Sequence, residues 1–399
     1  MALTAEQQRV CDGNMGSEVV QLSSLRPLVE VLRADGYRVT GPTVRDGAIV
    51  LAELRSADEL PYGWGVELAP GGYRLRRRAD RAAFGHAAGP QSWKSYLHPP
   101  RQPLFTVRRD PDGDLAVSEP AEEQPRYAFL GVRPCDLRAI GVQDRVLGRG
   151  GARPSRSGSR AAPDGRYAER RARALLIAVN CTEPGATCFC ASIGGGPGAG
   201  DGFDLVLTEL VDPDGSVRYL AQPGTPAGEW LLAAVPHEPA EATQIAAGRA
   251  AVAAAADQMG RTLPAADLPT LLAGAYDAAR WDEVARRCLT CGNCTMVCPT
   301  CFCTTVTDTT DLAGENAQRW ARWDSCFDLD FSLVHGGPVR GSARSRYRQW
   351  LTHKFGTWHE QFGESGCVGC GRCIVWCPVG IDVTDELHAL ATETEEAAT

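Results

Sequence analysis

The sequence lacks any unbroken apolar run of about 18 residues, the length at which a transmembrane helix becomes a candidate. No membrane-spanning helix is therefore expected. Met1 to Val20 has no basic region followed by an apolar stretch, so no secretion leader is read there and a cytoplasmic location is expected. Positive charge is in deficit. With 41 Lys and Arg against 49 Asp and Glu, the net charge is −8, which argues against general nucleic-acid binding. Nucleotide-phosphate loops are missing too: the glycine run from Gly194 to Gly198 fits neither G-x-G-x-x-G nor a GK[ST] loop.

What the sequence does hold is cysteine, 16 in 399 residues. Without a leader, that number points to metal or redox chemistry rather than a disulfide framework. Eight of them fall in two runs, Cys288-Leu-Thr-Cys291-Gly-Asn-Cys294-Thr-Met-Val-Cys298-Pro299 and Cys367-Val-Gly-Cys370-Gly-Arg-Cys373-Ile-Val-Trp-Cys377-Pro378. Both read C-x2-C-x2-C-x3-C-P, the spacing of ferredoxin-type [4Fe–4S] ligation. Three thiolates on a tight loop embrace one side of a cubane, and the fourth lies about a helical turn further on. In two-cluster proteins that fourth cysteine usually ligates the other cluster. The expected sets are Cys288, Cys291, Cys294 with Cys377, and Cys367, Cys370, Cys373 with Cys298. Gly292, Gly369 and Gly371 suit the close approach of backbone to sulfur. Structural zinc typically uses paired C-x2-C knuckles, not a run of four ending in Cys-Pro.

Upstream, the pattern is mixed. Ser24–Leu32 reads as a helix, Tyr37–Pro42 and Ala48–Ala52 as strands, and Arg126–Val132 and Ala174–Asn180 as buried strands. Asp136 reads as the N-cap of a helix from Leu137 to Val142. Gly148 to Gly165 reads as a loop. Phe203–Thr208 and Val217–Leu220 read as a hairpin, and Gln244 to Met259 as a helix. Arg74, Arg76, Arg77, Arg78 and Arg81 form a basic cluster, more often a solvated face than a docking site. Leu268 to Arg287 reads as helix delivering Cys288, with a domain boundary near residue 270. Residues 1–270 are thus expected to form an α/β domain and 271–399 an α-helical ferredoxin-like domain with two [4Fe–4S] clusters, an α+β protein overall. The helical expectation rests on the 68-residue insert between the runs (367 − 298 − 1). It contains the helix-like segments Ala317–Trp323 and Ser345–Leu351. Cys301, Cys303 and Cys326 in the insert read as buried small thiols, with thiols supporting the clusters or ligands of a further group as the alternatives. Arg340, Arg344, Arg346 and Arg348 either offset cluster charge or form a solvated face. Glu393 to Thr399 reads as a disordered acidic tail.

Cys135, Cys181, Cys188 and Cys190 are four thiols in loops of the α/β domain, two of them just past the ends of buried strands. Four is the number a cubane takes, so a third [4Fe–4S] site is one expectation. Unrelated buried thiols or a redox-active pair are the alternatives.

At Gly131-Val-Arg-Pro-Cys135-Asp-Leu137, at Asn180-Cys181 through Cys188-Phe-Cys190, at Cys298-Pro-Thr-Cys301-Phe-Cys303, at Trp323-Asp-Ser-Cys326 and at both cysteine runs, the chain resembles the beta subunit of cytoplasmic [NiFe] hydrogenases (sulfhydrogenases). It also resembles the related iron–sulfur subunit of anaerobic sulfite reductase. The resemblance covers roughly residues 90–390. It implies an iron–sulfur electron-transfer subunit beside a flavoprotein that binds NAD(P), passing electrons to or from the small and large subunits of a NiFe hydrogenase, or towards a sirohaem subunit. No active site of its own, no nucleic-acid partner and no direct membrane insertion are expected. A non-redox interaction module with structural clusters is a rival, as is an enzyme that binds a small substrate at Cys135.

Overall fold

The computed structural model describes residues 18–120, 125–148 and 162–397. The Gly148–Gly165 loop therefore lies largely outside the described residues, as do Cys11 and the last two residues. Among the described residues no helix is long and apolar enough to cross a membrane.

The frame is an eight-stranded sheet. Its strands are β1 (Val20–Leu22), β2 (Arg38–Arg45), β3 (Ala48–Glu53), β8 (Tyr127–Val132), β9 (Leu175–Val179), β10 (Leu205–Val211), β11 (Val217–Pro223) and β12 (Glu238–Pro239). Between β3 and β8 in the chain come β4 (Trp64–Ala69), β5 (Gly72–Arg77), β6 (Arg101–Arg109) and β7 (Leu115–Ser118). The large sheet runs β12-β1-β11-β10-β9-β8-β2-β3. Its centre, β2, β8, β9 and β10, is parallel, and its flanks are antiparallel. The continuous apolar run Leu175-Leu-Ile-Ala-Val179 is what a strand covered on both faces requires, and all five residues are buried. The two-residue period divides them. Ile177 and Val179 join a core with Leu28, Leu32 and Leu231, whereas Leu176 and Ala178 join one with Phe129, Leu137 and Ile140. Helices Arg26–Ala34 and Pro226–Ala233 cover the first face, and Pro134–Gln143 and Gly165–Ala172 the second.

A second sheet joins the two halves of the chain. Strands β13 (Thr304–Thr310) and β14 (Asn316–Trp323), both from the insert, stack in the order β13-β14-β6-β7. The expected helix at Ala317–Trp323 is thus a strand, paired along one edge with β13 and along the other with β6. Seven residues of Trp, Arg, Ala and Gln fit either period, and pairing with Thr-rich β13 decides the matter. The C-terminal part is consequently mixed rather than all-helical. Ser345–Leu351 does lie in a helix, Ala343–Thr352. Leu268 to Arg287 breaks into two helices, Leu268–Gly274 and Arg280–Arg287. The acidic tail is helical as far as Ala397, within Val383–Ala397, and Glu393 accepts hydrogen bonds from the Ala279 and Arg280 amides.

A third core lies under the cysteine runs. Trp281, Phe327, Tyr347, Trp350, Leu351, Phe355 and Leu387 pack there, with Cys288, Cys294, Cys326, Cys367, Cys373 and Cys377 against them. Phe189, from the α/β half, is buried in the same core.

Candidate metal centres

The two runs fold alike. Helix Arg280–Arg287 ends on Cys288, and the chain then takes left-handed conformations at Thr290 (φ 51°) and Gly292 (φ 74°) before a single helical turn, Asn293–Met296. In the second run Gly369 (φ 65°) and Gly371 (φ 72°) are left-handed and the turn is Arg372–Val375. Each loop directs a backbone amide at its first sulfur: Thr290 N donates to Cys288 Sγ and Gly369 N to Cys367 Sγ, both at 3.4 Å.

Two neighbouring cavities result. One, of about 460 Å³, is bounded by Cys288, Cys291 and Cys294 of the first run and by Cys377 and Cys373 of the second, with Phe327, Tyr347 and Trp350 as apolar wall. The other, of about 370 Å³, is bounded by Cys367, Cys370 and Cys373 of the second run and Cys298 of the first, with Phe189, Lys354 and Arg372. Each cavity takes three thiols from one run and the last cysteine of the other, and the first also takes Cys373. Trp350 and Cys373 line both. Among the described residues, no three Cys, His, Asp or Glu groups converge as ligands of one ion. A cubane does not ask for that, because its thiolates sit at separate corners on different irons. Apolar walls with thiols spaced around them suit such a group.

Burial pushes most of these thiols up, Cys367 to about 12 and Cys294 and Cys373 well above the ordinary range. Without metal they are protonated, and ligation requires their protons to leave. Cys298 is the exception. Hydrogen bonding with Cys301, and the nearby Lys354 ammonium, hold it well below a free thiol despite burial.

The four cysteines upstream also meet. Cys135 opens helix Pro134–Gln143 just beyond β8, and Cys181 lies just beyond β9, at the carboxyl edge of the parallel strands where α/β sheets commonly bind ligands. Burial pushes Cys188 up to about 12, and Cys181 and Cys370 add to it by charge. Cys190 feels Cys188, Cys181 and Cys370, and Cys135 feels Cys370 and Cys190. This group sits on the second run. Phe189 N donates to Gly369 O at 2.9 Å, and Cys188 Sγ to Cys370 O at 4.0 Å. Asp136 does not cap its helix. Arg133 occupies the N-cap position, and the Asp136 carboxylate pairs instead with Arg372 at 2.9 Å, both groups buried.

Of the basic cluster, Arg76 and Arg78 pair with Glu183, and Arg77 lies over Trp64. Tyr73 stacks on Trp376 beside Cys377. Cys301, Cys303 and Cys326 adjoin the Cys298 side of the second cavity. Sequence reasoning missed Lys354 and Lys94, both buried. A lone Lys inside the otherwise apolar-rich Trp350–Trp358 stretch is the available signal, since buried Lys is rare without a partner.

Residues 287–381 match the family model described as a 4Fe-4S dicluster domain. Sulfhydrogenase 2 subunit beta of Pyrococcus furiosus is 30% identical over 363 residues, covering 88% of this chain and 92% of that protein. No solved structure matches the chain significantly. The two cysteine runs, the thiols gathered beside the second of them and an identity that extends through the α/β half leave the assignment plain: the chain belongs to the family of sulfhydrogenase beta subunits.

Proposed function

We propose that the chain carries electrons within a cytoplasmic hydrogenase-type complex, between a NiFe hydrogenase module and a flavoprotein that binds NAD(P). In this reading Cys288, Cys291, Cys294 and Cys377 hold an outer [4Fe–4S] cluster. Cys367, Cys370, Cys373 and Cys298 hold an inner one, and Cys135, Cys181, Cys188 and Cys190 a third. Residues 1–270 form the α/β domain that supplies the third set, and 271–399 the dicluster domain, with the β13-β14-β6-β7 sheet as their seam. Bound clusters supply one-electron transfer. The protein's part is to place them in series, exclude water with Trp350, Phe189 and Tyr347, and set potentials by hydrogen bonds and charge at the sulfurs.

The observation that carries the reading is the crossed lining of the two cavities. Its test is a pair of substitutions in the anaerobically purified complex. If Cys298 and Cys367 serve one cluster, Cys298→Ala combined with Cys367→Ala loses no more iron than either alone. If each run keeps its own cluster, the double variant loses twice as much. Identification of the co-purifying chains tests the role. A nickel-containing large subunit with a flavoprotein supports it, and a sirohaem protein moves the assignment to sulfite reduction.

A further inference from the structure

Lys354 lies at the second cavity, and among the described residues no carboxylate is within its hydrogen-bond reach. Its side chain is almost wholly buried, the residue being 5% exposed. It projects from a π-type turn, His353–Thr357, that interrupts the helical run between Thr352 and Trp358; such turns often mark functional positions. Gly366 N and Ser365 Oγ both donate to the Lys354 carbonyl, at 2.8 and 3.2 Å, and fix the backbone. The ammonium has three partners: Cys298 Sγ at 3.2 Å, Thr300 Oγ1 at 3.1 Å and Gly366 O at 3.4 Å.

Proton accounting gives these contacts a direction. Thr300 Oγ1 donates its one hydrogen to Gly366 O at 2.7 Å, so toward Lys354 it acts as acceptor. Once the Cys298 sulfur is a metal-bound thiolate with no proton of its own, Lys354 is the charged side-chain donor to it, beside the neutral thiol of Cys301. A buried ammonium is costly unless an anion compensates it. The only anion-forming group among its three partners is the sulfur of Cys298. The first cavity differs. There, among the described residues, Cys288 and Cys377 accept from backbone amides only, Thr290 N at 3.4 Å and Ile381 N at 3.3 Å.

We propose that Lys354 raises the reduction potential of the centre bounded by Cys298, Cys367, Cys370 and Cys373, through a charge-assisted hydrogen bond to the Cys298 sulfur, and so makes the inner site the electron sink of the pair. This rests on the cluster reading above. Withdrawing electron density from a ligand sulfur and placing a fixed positive charge at a cluster both favour the reduced state. Lys354 acts through Cys298 and is a positioning residue, not a catalytic one.

The test is an EPR-monitored redox titration of the anaerobically purified complex, with iron and labile sulfide counted, for wild type, Lys354→Met and Lys354→Arg. Lys354→Met is expected to keep its iron and lower one midpoint while the others stay. At the wild-type midpoint of that centre, the ratio of reduced to oxidised cluster falls about tenfold, equivalent to about 59 mV for a one-electron couple. Lys354→Arg recovers most of the loss. Full iron with every midpoint unchanged in Lys354→Met overturns the proposal. Should Lys354→Met lose iron, Lys354→Gln, which keeps an N–H donor without charge, is titrated instead: a lowered midpoint supports the role and an unchanged one overturns it. A wild-type complex with no cluster signal fails the cluster reading itself, a result distinct from unchanged midpoints.

Discussion

The two cysteine runs share a spacing and a backbone path but not a neighbourhood. In the first, Cys291 is exposed, Leu289 is 60% exposed, and a threonine occupies the left-handed position 290. In the second, the matching position is Gly369. A Cβ there would lie 2.5 Å from the Cys190 Cα and backbone nitrogen, and one on Gly371 would lie 2.4 Å from Thr187 O. The second loop is pressed against the Thr187–Cys190 segment of the α/β half. The ligand motif alone makes the local loop. The glycines of the second run record what lies on top of it. Solvent exposure and nearby charge tune cluster potentials, so the same motif yields an outer and an inner site with different electrostatics.

The largest expected effect comes from the ion pair that seats the inner loop. Arg372 and Asp136 are 2% and 3% exposed and pair at 2.9 Å across 236 residues of sequence. Asp136→Ala leaves a buried guanidinium uncompensated and is expected to destabilise the chain by about 3–5 kcal/mol, read from denaturant unfolding of the anaerobic protein. On the cluster assignment proposed above, signals from the inner and third sites should be lost before those of the outer site. Equal loss at all sites would erase the inner–outer distinction.

Next is Gly369→Ala. Backbone atoms of Phe189 and Cys190 meet the new methyl, and they cannot swing away as a side chain could. Overpacking typically costs about 1–3 kcal/mol, and a left-handed non-glycine residue about 1–2 kcal/mol more. Lower thermal stability with loss of inner-site iron is the expected result.

A pH effect of similar size belongs to the structure over the inner site. Glu209 on β10 accepts from Ala83 N at 2.6 Å and Phe84 N at 2.8 Å. The Phe84 and His86 carbonyls in turn accept from Arg133, two residues before Cys135. Burial pushes the Glu209 carboxyl up from 4.5 to about 7, against the two amides that favour its charged form. Raised in the folded state, it contributes stability fully below pH 4.5, and that contribution is lost as the pH climbs through 7. The change is up to about 3 kcal/mol between those limits. Buried His86 and His98 and half-buried His353, whose pKa values desolvation lowers, act in the opposite direction below about pH 6.5. The readout is therefore the difference in melting temperature between wild type and Glu209→Gln, which should fall from about pH 5 to about pH 8.

How much of this the sequence carries depends on the range of the cause. The ligand spacing and the buried strands β8 and β9 are local patterns, and the two cysteine loops and the sheet follow them. Asp136 reads as an N-cap because its neighbours fit one, yet its partner lies far along the chain. The Ala317–Trp323 segment reads as helix because nothing nearby announces β6, the strand that pairs with it. Lys354 carries no motif at all. Only the folded insert brings it to Cys298. The crowding over Gly369 is invisible for the same reason, since a glycine in such a loop is explained equally well by its backbone angle.

The smallest effect isolates that backbone angle. Thr290→Gly removes a β-branched residue from φ 51° at a site where the loop is not pressed by the α/β half. Relief of left-handed strain is worth about 1–2 kcal/mol, offset by about 0.5–1 kcal/mol of added chain entropy in the unfolded state. The net change should lie within about 1 kcal/mol and favour the variant. Iron content and all midpoints should stay unchanged, because the Thr290 amide that donates to Cys288 is retained. Set beside Gly369→Ala, it changes the matching position of the partner loop in the opposite sense. If the left-handed conformation alone governed both loops, the two substitutions would differ only in sign. A loss at position 369 several times the gain at 290 assigns the remainder to the contact with Phe189 and Cys190, the feature by which the inner site differs from the outer one.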